Sequence, residues 1–270
     1  MSGVFRSTNF CIGAVLTGSL FLLMLLSFFY LPYDPGAMDL QLILAPPSGA
    51  HLLGTDHFGR DLLSRLMVGG QVAFAVGFFT VLFGLLVGLL LGSFSGYFGG
   101  WVDVVLMKVI DAQMAFPGVL LALMLIAVFG TGMRNTILAL GIMSVPRFTR
   151  IIRAGYIKHR DDAFIQAARL RGAGPLRIMY RHILPNLVNP IAVTIATSFA
   201  GAVLSEAGLS YLGLGVQAPN PSWGRMLNEA QGYIFTQPLY AVIPGVVLTL
   251  LVLGFHLMAD GVRIRAESEP

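Results

Sequence analysis

The sequence contains little charge and a single cysteine. Only 11% of its 270 residues are Asp, Glu, Lys or Arg, whereas 56% are hydrophobic and the mean hydropathy is +0.79. Because Cys11 has no second cysteine to pair with, an internal disulfide and a cysteine-based metal cluster are excluded. Soluble domains carry far more charge than this, so the composition indicates an integral membrane protein.

Signatures of catalysis are also missing. The phosphate-binding pattern G-x-x-x-x-G-K-[ST] needs a glycine before its lysine, but methionine precedes Lys108 and isoleucine precedes Lys158, and there are no other lysines. The stretch GSFSG has Phe94 where G-x-S-x-G needs its serine, and H-E-x-x-H does not occur. We therefore expect neither enzyme activity nor a bound cofactor, and any ATP hydrolysis must take place on another chain.

What the sequence has instead is a series of long uncharged runs. Five of them can cross a bilayer core of about 30 Å as helices: Asn9–Leu31, Val68–Gly100, Ala112–Met133, Leu187–Ser205 and Tyr233–Ala259. A sixth starts at Asn135 and is interrupted by Arg147, but a helix to about Ile152 could cross with its arginines reaching one interface. The sequence thus predicts an all-α polytopic membrane protein with one domain and six transmembrane helices, at about 9–31, 72–97, 112–132, 135–154, 187–206 and 236–258.

The first run can also be interpreted as a secretory signal peptide, because Arg6 precedes it. It is longer than the apolar region of such a signal, which is about 7–15 residues. It also continues into LPYDP without an A-x-A cleavage site. We therefore predict a retained first helix, followed by an outer loop at 32–70.

The distribution of basic residues predicts the orientation in the membrane. Four of the 17 lysines and arginines fall in loops on one side, and all the others fall on the opposite side; the four are Arg60, Arg65, Arg134 and Arg225. An excess of positive charge marks cytoplasmic loops. Both termini and the basic segment 158–186 are therefore predicted to be cytoplasmic, in a cell membrane that is the inner one where the source has two.

The basic segment 158–186 has two interpretations. It can be merely an orientation signal beside anionic lipid. Its pattern, however, predicts a helix after Asp161 and Asp162, a break at Gly172–Gly174 and a second helix from Pro175. Small residues let another protein approach the backbone closely, and arginines can contact its carboxylates. Nucleic-acid binding is not expected, because no recognisable module for it is present.

The same segment resembles the EAA loop of ABC-importer permeases. Gln166-Ala167-Ala168 and Gly172 match the start and the glycine of that motif, with glutamine in place of glutamate, and the motif's ending matches Leu184-Pro185. In that family the loop is a coupling helix that docks in a cleft of the ATPase subunit. The resemblance implies that the ATPase is contacted by Gln166, Ala167, Ala168, Arg169, Arg171, Gly172, Ala173, Gly174, Leu184 and Pro185.

Three further stretches resemble the dipeptide/oligopeptide/nickel group of these permeases: HLLGTDHFGRDLLSRL from His51, GYFGGWVDVVLMKVIDAQMAFPGVLLAL from Gly96 and LGLGVQAPNPSWGRML from Leu212. The resemblance implies a C-type subunit with the type I importer permease (MetI-like) fold. Its implied partners are a B-type permease, two ATPase subunits that hold ATP and Mg²⁺, and an extracytoplasmic binding protein. The implied cargo is a dipeptide or oligopeptide, with nickel as the alternative. Binding-protein contacts are expected at Gly54, Thr55, Asp56, Arg60, Asp61 and Trp223.

Several features allow two interpretations. Glu206 is either an interfacial carboxylate or a pathway residue that meets a cationic group of the substrate. His51 and His57 either flank a turn and helix cap at Gly54-Thr55-Asp56 or form a site that hands on a metal such as Ni²⁺. Glycines at four-residue spacing in the second helix pack either within the chain, which we favour, or against another subunit: Gly84, Gly88, Gly92 and Gly96. A secondary transporter, which would need no ATP, is the remote alternative.

Overall fold

The computed structural model describes residues 7–268, which form a bundle of helices joined by turns and one long loop. The helices are α1 (Thr8–Leu26), α2 (Leu62–Phe98), α3 (Gly100–Met114), α4 (Gly118–Phe129), α5 (Met133–His159), α6 (Ala163–Leu170), α7 (Pro175–Arg177), α8 (Val188–Tyr211), α9 (Trp223–Ala230) and α10 (Pro238–Ser268). A π-helical turn (Ile178–Ile183) and two 3₁₀ turns (Leu184–Leu187 and Gln231–Tyr233) lie between them. In the described part of the chain the β-type pairing is limited to one bridge between Thr55 and Asp61. The predicted all-α class is confirmed.

Helices α2 and α5 form the centre of the bundle and run in the same direction. The glycine stripe of α2 faces α5 throughout: a Cβ added at Gly88 would overlap the Phe148 side chain, and one at Gly96 would lie 2.6 Å from Tyr156 Cβ. Because the glycines have no side chains, the two backbones approach closely. Packing within the chain is therefore confirmed for this stripe.

Helices α1 and α10 pack antiparallel on one another. Phe10 at the start of α1 lies against Gly261, and Thr17 Oγ1 lies 3.3 Å from Met258 Sδ. The start of α10 is at the opposite end, where the Tyr240 hydroxyl donates to Glu229. Both ends of the described chain therefore lie at the same face as the end of α2. Arg6, which the charge count placed with the inner residues, lies outside the described residues.

Four of the described helical stretches are long and apolar enough to cross a bilayer: α1, α2, the stretch from Pro175 to Tyr211, and α10. Helices α3 and α4 meet at an 87° bend and can together make one broken crossing. Helix α5 has 27 residues, but its arginines lower its hydropathy. A total of six crossings stays a prediction.

The predicted start of the second helix, near residue 72, is wrong. Helix α2 begins at Leu62, because the Asp61 side chain caps it by accepting a hydrogen bond from the Ser64 N–H at 2.8 Å. The loop predicted at 32–70 therefore ends at Asp61. The helix cap predicted at residues 54–56 is wrong for the same reason.

The other helix boundaries also differ from the predicted ones. The span predicted at 112–132 is broken, because α3 already starts at Gly100 and the chain turns before Pro117, which has no N–H for a continuing helix. Helix α1 ends at Leu26 rather than at 31. Helices α5, α8 and α10 extend past the predicted ends at 154, 206 and 258.

Residues 32–61 and 212–237 together cover one end of the bundle, and we call them the cap. The first segment folds back on itself through a backbone hydrogen bond from Leu44 to Asp56 at 3.0 Å. The second contains α9, and its Trp223 indole donates to the Leu66 carbonyl at 2.9 Å. The Trp223 ring also covers Gly69, where a Cβ would lie 2.7 Å from the ring. The cap is thereby attached to the first turns of α2.

Candidate functional site

The segment 158–186 forms a compact elbow at the face opposite the cap, and we call it the coupling loop. Its first helix, α6, turns only one side toward the rest of the chain, where Ile165 and Ala168 are buried. The opposite side is exposed and carries Gln166, Ala167 and Arg169. The apolar spacing of three residues thus seats the helix on the bundle and leaves a polar and small-residue surface free.

Helix α6 ends in a Schellman motif that depends on Gly172. The Ala173 N–H bonds the Ala168 carbonyl at 3.1 Å, and the Gly172 N–H bonds the Arg169 carbonyl at 2.9 Å. Gly172 has φ +79°, a left-handed conformation that glycine adopts without steric strain. The glycine break predicted from the sequence is therefore the stop signal of α6.

The second half of the coupling loop is anchored in the bundle. Pro175 opens a helical turn, and Ile178, Met179 and Ile183 are buried behind it. The Tyr156 hydroxyl of α5 donates to the Met179 carbonyl at 2.9 Å. The second half of the coupling loop is therefore bound to α5, which is packed along α2.

Most of the predicted ATPase-contact residues lie on the free surface of the coupling loop. Those exposed are Gln166, Ala167, Arg169, Arg171, Gly172, Gly174 and Pro185, whereas Ala173 and Leu184 are half-buried and Ala168 is buried. Sequence reasoning missed the apolar part of this surface. Leu170 is 91% exposed, and Phe164 and Leu176 are also exposed. Exposed apolar side chains on a polar loop are typical of a protein-docking surface.

A cluster of buried and half-buried ionised side chains lies between the cap and the first turn of α2, and we call it the cap cluster: Asp56, Arg60, Arg65, Arg225 and Glu229. Arg60 Nε lies 2.6 Å and Arg65 Nε 3.3 Å from Asp56 Oδ2. Glu229 Oε2 accepts from Arg65 at 2.7 Å and from Arg60 at 3.1 Å. Arg225 Nε donates to the other Glu229 oxygen at 2.9 Å. The cluster joins the cap loop, α2 and α9 through charged hydrogen bonds.

The pKa of Glu229 reflects this environment. Burial by itself raises the pKa of the Glu229 carboxyl, but the charges of Arg65, Arg60 and Arg225 outweigh burial and hold it below its ordinary value. Glu229 was not singled out from the sequence. Its spacing of four residues from Arg225 on a helix was the one available signal.

His57 lies beside the cap cluster, and the cluster does not suit a metal ion. One ligand atom each of Asp56, His57 and Glu229 lies within 4.8 Å of the others. Both carboxylates, however, already bind Arg60 and Arg65, whose positive charges repel a cation. Burial lowers the pKa of His57, with the carboxylates of Asp56 and Glu229 opposing this in part. The geometry does not support metal transfer here.

His51 has separate partners. Its Nδ1 lies 2.9 Å from Asp61 Oδ1, and its ring stacks on Tyr33 with centroids 4.4 Å apart. His57 instead contacts α10, where its Nδ1 lies 3.1 Å from the Tyr240 hydroxyl. Their separate partners favour a structural role in a turn over a shared metal site.

The side chains predicted to contact a binding protein are buried within the cap. Thr55, Asp56, Arg60, Asp61 and Trp223 are all at most 9% exposed. They bond to one another and to α2, α9 and neighbouring loop residues. In this structure they therefore stabilise the inside of the cap and do not form its outer surface. The exposed cap surface carries other side chains, among them Leu40, Leu52, Phe58 and Phe235.

Glu206 is buried inside the chain, with 1% of its surface exposed. Its Oε1 accepts from the Ser210 hydroxyl at 2.6 Å, and Ser210 Oγ accepts from the Val216 N–H at 3.0 Å. The carboxylate therefore holds the turn that follows α8. In this structure the Glu206 side chain is enclosed by the rest of the chain.

Two other acidic residues, Asp103 and Asp111, have structural partners. Arg153 Nε and NH2 donate to the two Asp103 oxygens at 2.5 and 2.6 Å, in a bidentate pair between α3 and α5. Arg150 contacts Asp111 at 2.6 Å on the exposed surface. Both pairs connect α3 to α5.

Comparison with known proteins gives a consistent result. Residues 88–265 match the family model described as the binding-protein-dependent transport system inner membrane component. The chain is 39% identical over 220 residues to the dipeptide transport system permease protein DppC of Alkalihalophilus pseudofirmus, covering 82% of this chain and 72% of that protein. It is 44% identical over 233 residues to the glutathione transport system permease protein GsiD of Shigella flexneri, covering 86% of this chain and 77% of that protein.

Solved structures show the same fold at lower identity. The MetNI methionine ABC transporter in an inward-facing conformation matches with a TM-score of 0.58 and 20% identity, over 77% of this chain and 96% of that chain. An amino acid ABC transporter crystallised with histidines matches with a TM-score of 0.58 and 20% identity, over 74% of this chain and 94% of that chain. The predicted type I importer permease fold is confirmed.

Proposed function

The chain belongs to the family of binding-protein-dependent transport system inner membrane components, and we propose that it forms part of the pathway by which an ABC importer brings short peptides into the cell. Two relatives at about 40% identity are named for dipeptide and glutathione transport. Both substrates are small peptides. This shared chemistry supports a di- or oligopeptide as the cargo of this chain.

The coupling loop is the proposed docking site for the ATPase subunits. Its exposed side is the only part of the segment that the bundle leaves free for a partner, and its buried side is attached to α5 through Ile165, Met179 and Tyr156. This one-sided attachment is the observation that carries the proposal. ATP and Mg²⁺ would be held by two partner ATPase subunits, and a rigid-body movement of the loop would switch the bundle between its states.

The remaining partners are proposed from the same architecture. A B-type permease subunit would complete the pathway, and lipid would surround the apolar faces of the pair. The extracytoplasmic binding protein would contact the exposed surface of the cap, and the buried cap residues would maintain the conformation of that surface. The excess of basic residues at the coupling-loop face supports a cytoplasmic location for this loop and for both termini.

A pair of glycine substitutions tests the docking proposal. Gly172→Ala places a Cβ at φ +79°, and Gly174→Ala places the same group at φ −72°, with no atom within 4 Å at either position. The left-handed conformation costs a non-glycine residue about 1–2 kcal/mol, so the free loop of Gly172→Ala relaxes and docking is weakened roughly five- to thirtyfold. Gly174→Ala should dock normally.

The measurement is the amount of ATPase subunit that copurifies with the solubilised permease pair at graded ATPase concentrations, together with ATP-driven peptide uptake in proteoliposomes. If Gly172→Ala retains wild-type ATPase binding and uptake, the coupling loop is not the docking site. If the wild-type complex binds the ATPase but imports no peptide, the proposed cargo is wrong.

A further inference from the structure

A small polar cleft lies between α2, α5 and α8, about midway between the cap and the coupling loop. Its volume is 170 Å³, and its wall contains four hydroxyl-bearing side chains and one arginine: Thr80, Ser144, Ser198, Ser205 and Arg147. Thr80 is near the middle of α2, and Arg147 is near the middle of α5. The cleft is therefore deep within the predicted membrane region, where transporters commonly bind their substrates.

Two of these hydroxyls are buried without a hydrogen-bond partner. Thr80 is 2% exposed and Ser198 is 7% exposed, and neither side-chain oxygen has a partner among the described residues. Buried hydroxyl groups are almost always hydrogen-bonded, because leaving one unpaired is unfavourable. The two positions therefore indicate a polar group that occupies the cleft during the transport cycle.

Arg147 gives the cleft its charge. The charge count assigned this residue to the cytoplasmic side, but the structure places it near the middle of α5. Its side chain is exposed, its polar contact is the Thr197 hydroxyl at 2.9 Å, and it forms no ion pair with a described acidic residue. Neighbouring arginines of α5 differ in this respect, since Arg150 pairs with Asp111 and Arg153 pairs with Asp103. An unpaired guanidinium at membrane depth is unfavourable and marks a functional contact.

Resting on the proposed peptide cargo, we propose that this cleft binds the C-terminal carboxylate of the transported peptide, with Arg147 as the anion-binding residue. The wall supplies hydrogen-bond donors and a positive charge but no carboxylate, so it is complementary to an anionic acceptor. A volume of 170 Å³ is below the range of about 300–1,000 Å³ for whole-ligand pockets, so one end of the peptide enters. Thr80 and Ser198 would donate to the same carboxylate.

The first test compares two arginines of α5 in the complete importer reconstituted with saturating peptide-loaded binding protein. Arg147→Gln should lower peptide uptake about tenfold or more, since a hydrogen bond to a charged group is involved. Arg147→Lys should recover part of it. The matched control is Arg150→Gln, whose pair with Asp111 is on the exposed surface, and its uptake should stay within about twofold of wild type.

The second test measures the charge preference of the cleft without relying on transport. In a Cys11→Ser background, Ser205→Cys places a single thiol of this chain in the cleft wall. An anionic methanethiosulfonate reagent should react faster than a cationic one, and Arg147→Gln should remove this preference. During turnover, a peptide with a free C-terminus should slow the labelling, and its C-terminal amide at equal concentration should not.

Three results overturn the proposal: equal uptake by the two glutamine variants, a charge preference that Arg147→Gln does not change, or protection of the thiol by assembly with the partner permease alone. The last would mean that the partner permease covers the cleft, so that no peptide can enter it. If the wild-type importer moves no peptide, the proposed cargo is wrong instead. The thiol labelling still reports whether the cleft attracts anions.

Discussion

The cap cluster makes a quantitative prediction about stability. Asp56 and Glu229 carry two negative charges, against three positive charges on Arg60, Arg65 and Arg225. Arg65→Met leaves two charges of each sign. Glu229→Gln leaves three guanidinium groups facing a single carboxylate. We therefore expect Glu229→Gln to be the more damaging change, although both remove one member of the same ion pair.

The size of the effect follows from burial. Arg65 is 1% exposed and lies 2.7 Å from Glu229, so the pair is sheltered from water. Removing one partner of a buried ion pair costs about 3–5 kcal/mol. At about 2–4 °C per kcal/mol for a chain of this size, Glu229→Gln should lower the melting temperature by roughly 6–20 °C. Arg65→Met should lower it by less than half as much.

A double-mutant cycle separates charge imbalance from general damage. Arg65→Met combined with Glu229→Gln restores the balance of charge, so the double variant should be more stable than Glu229→Gln alone. Unfolding can be followed in detergent by tryptophan emission in a Trp101→Phe background, in which the buried Trp223 is the one remaining tryptophan. Arg160→Gln, which removes an exposed pair with Asp161, is the control and should change the stability by less than about 1 kcal/mol. Additive single effects, or a stable Glu229→Gln, would refute the charge-balance reasoning.

Two further predictions concern packing and pH. Gly88→Ala should destabilise the bundle by about 1–3 kcal/mol in the same melting assay, because its Cβ overlaps Phe148. The control is Gly18→Ala on α1, which has no atom within 4 Å of the added Cβ and should be neutral or stabilising. Equal melting temperatures for the two variants would show that α2 and α5 are not in close contact. Burial lowers the pKa of His57, so the unfolded chain binds its proton more readily and stability should be lost as the pH falls below about 6.5. His57→Gln should reduce this pH dependence of the melting temperature, whereas the same substitution at the exposed His256 should leave it unchanged. Identical pH profiles for wild type and His57→Gln would contradict this assignment.

The sequence was sufficient to predict the class of fold, because a helix that crosses the lipid requires a long uncharged run. It failed at the start of α2 because Arg65 interrupts the uncharged run. The structure places Glu229, 164 residues away, against that arginine, and a paired charge no longer prevents a helix from continuing into the bundle. Pairing at such a distance leaves no trace in local composition.

The coupling loop was easier to predict than the cap. Pro175 and Gly172 act through local backbone conformation, which a sequence displays directly. The role of Trp223 depends on its contact with Gly69, and that of Arg147 depends on a cleft built from three helices. Such residues can be recognised as unusual in a sequence, but their partners are set by tertiary packing.

The continuity of α2 has a consequence for how the two compartments communicate. At 1.5 Å per residue its 37 residues extend for about 55 Å, well beyond a hydrocarbon layer of about 30 Å. Its first turn contributes Arg65 to the cap cluster, and its last turn contributes Tyr97, whose ring centroid lies 5.7 Å from the Arg169 guanidinium. Because a helix of fixed length cannot stretch, a partner that binds at one end of α2 and displaces it must tilt or rotate its other end. If the coupling loop docks an ATPase subunit and the cap contacts a binding protein, as proposed, this influence is reciprocal by linkage. The nucleotide state of the ATPase should then alter how tightly the cap holds the loaded binding protein.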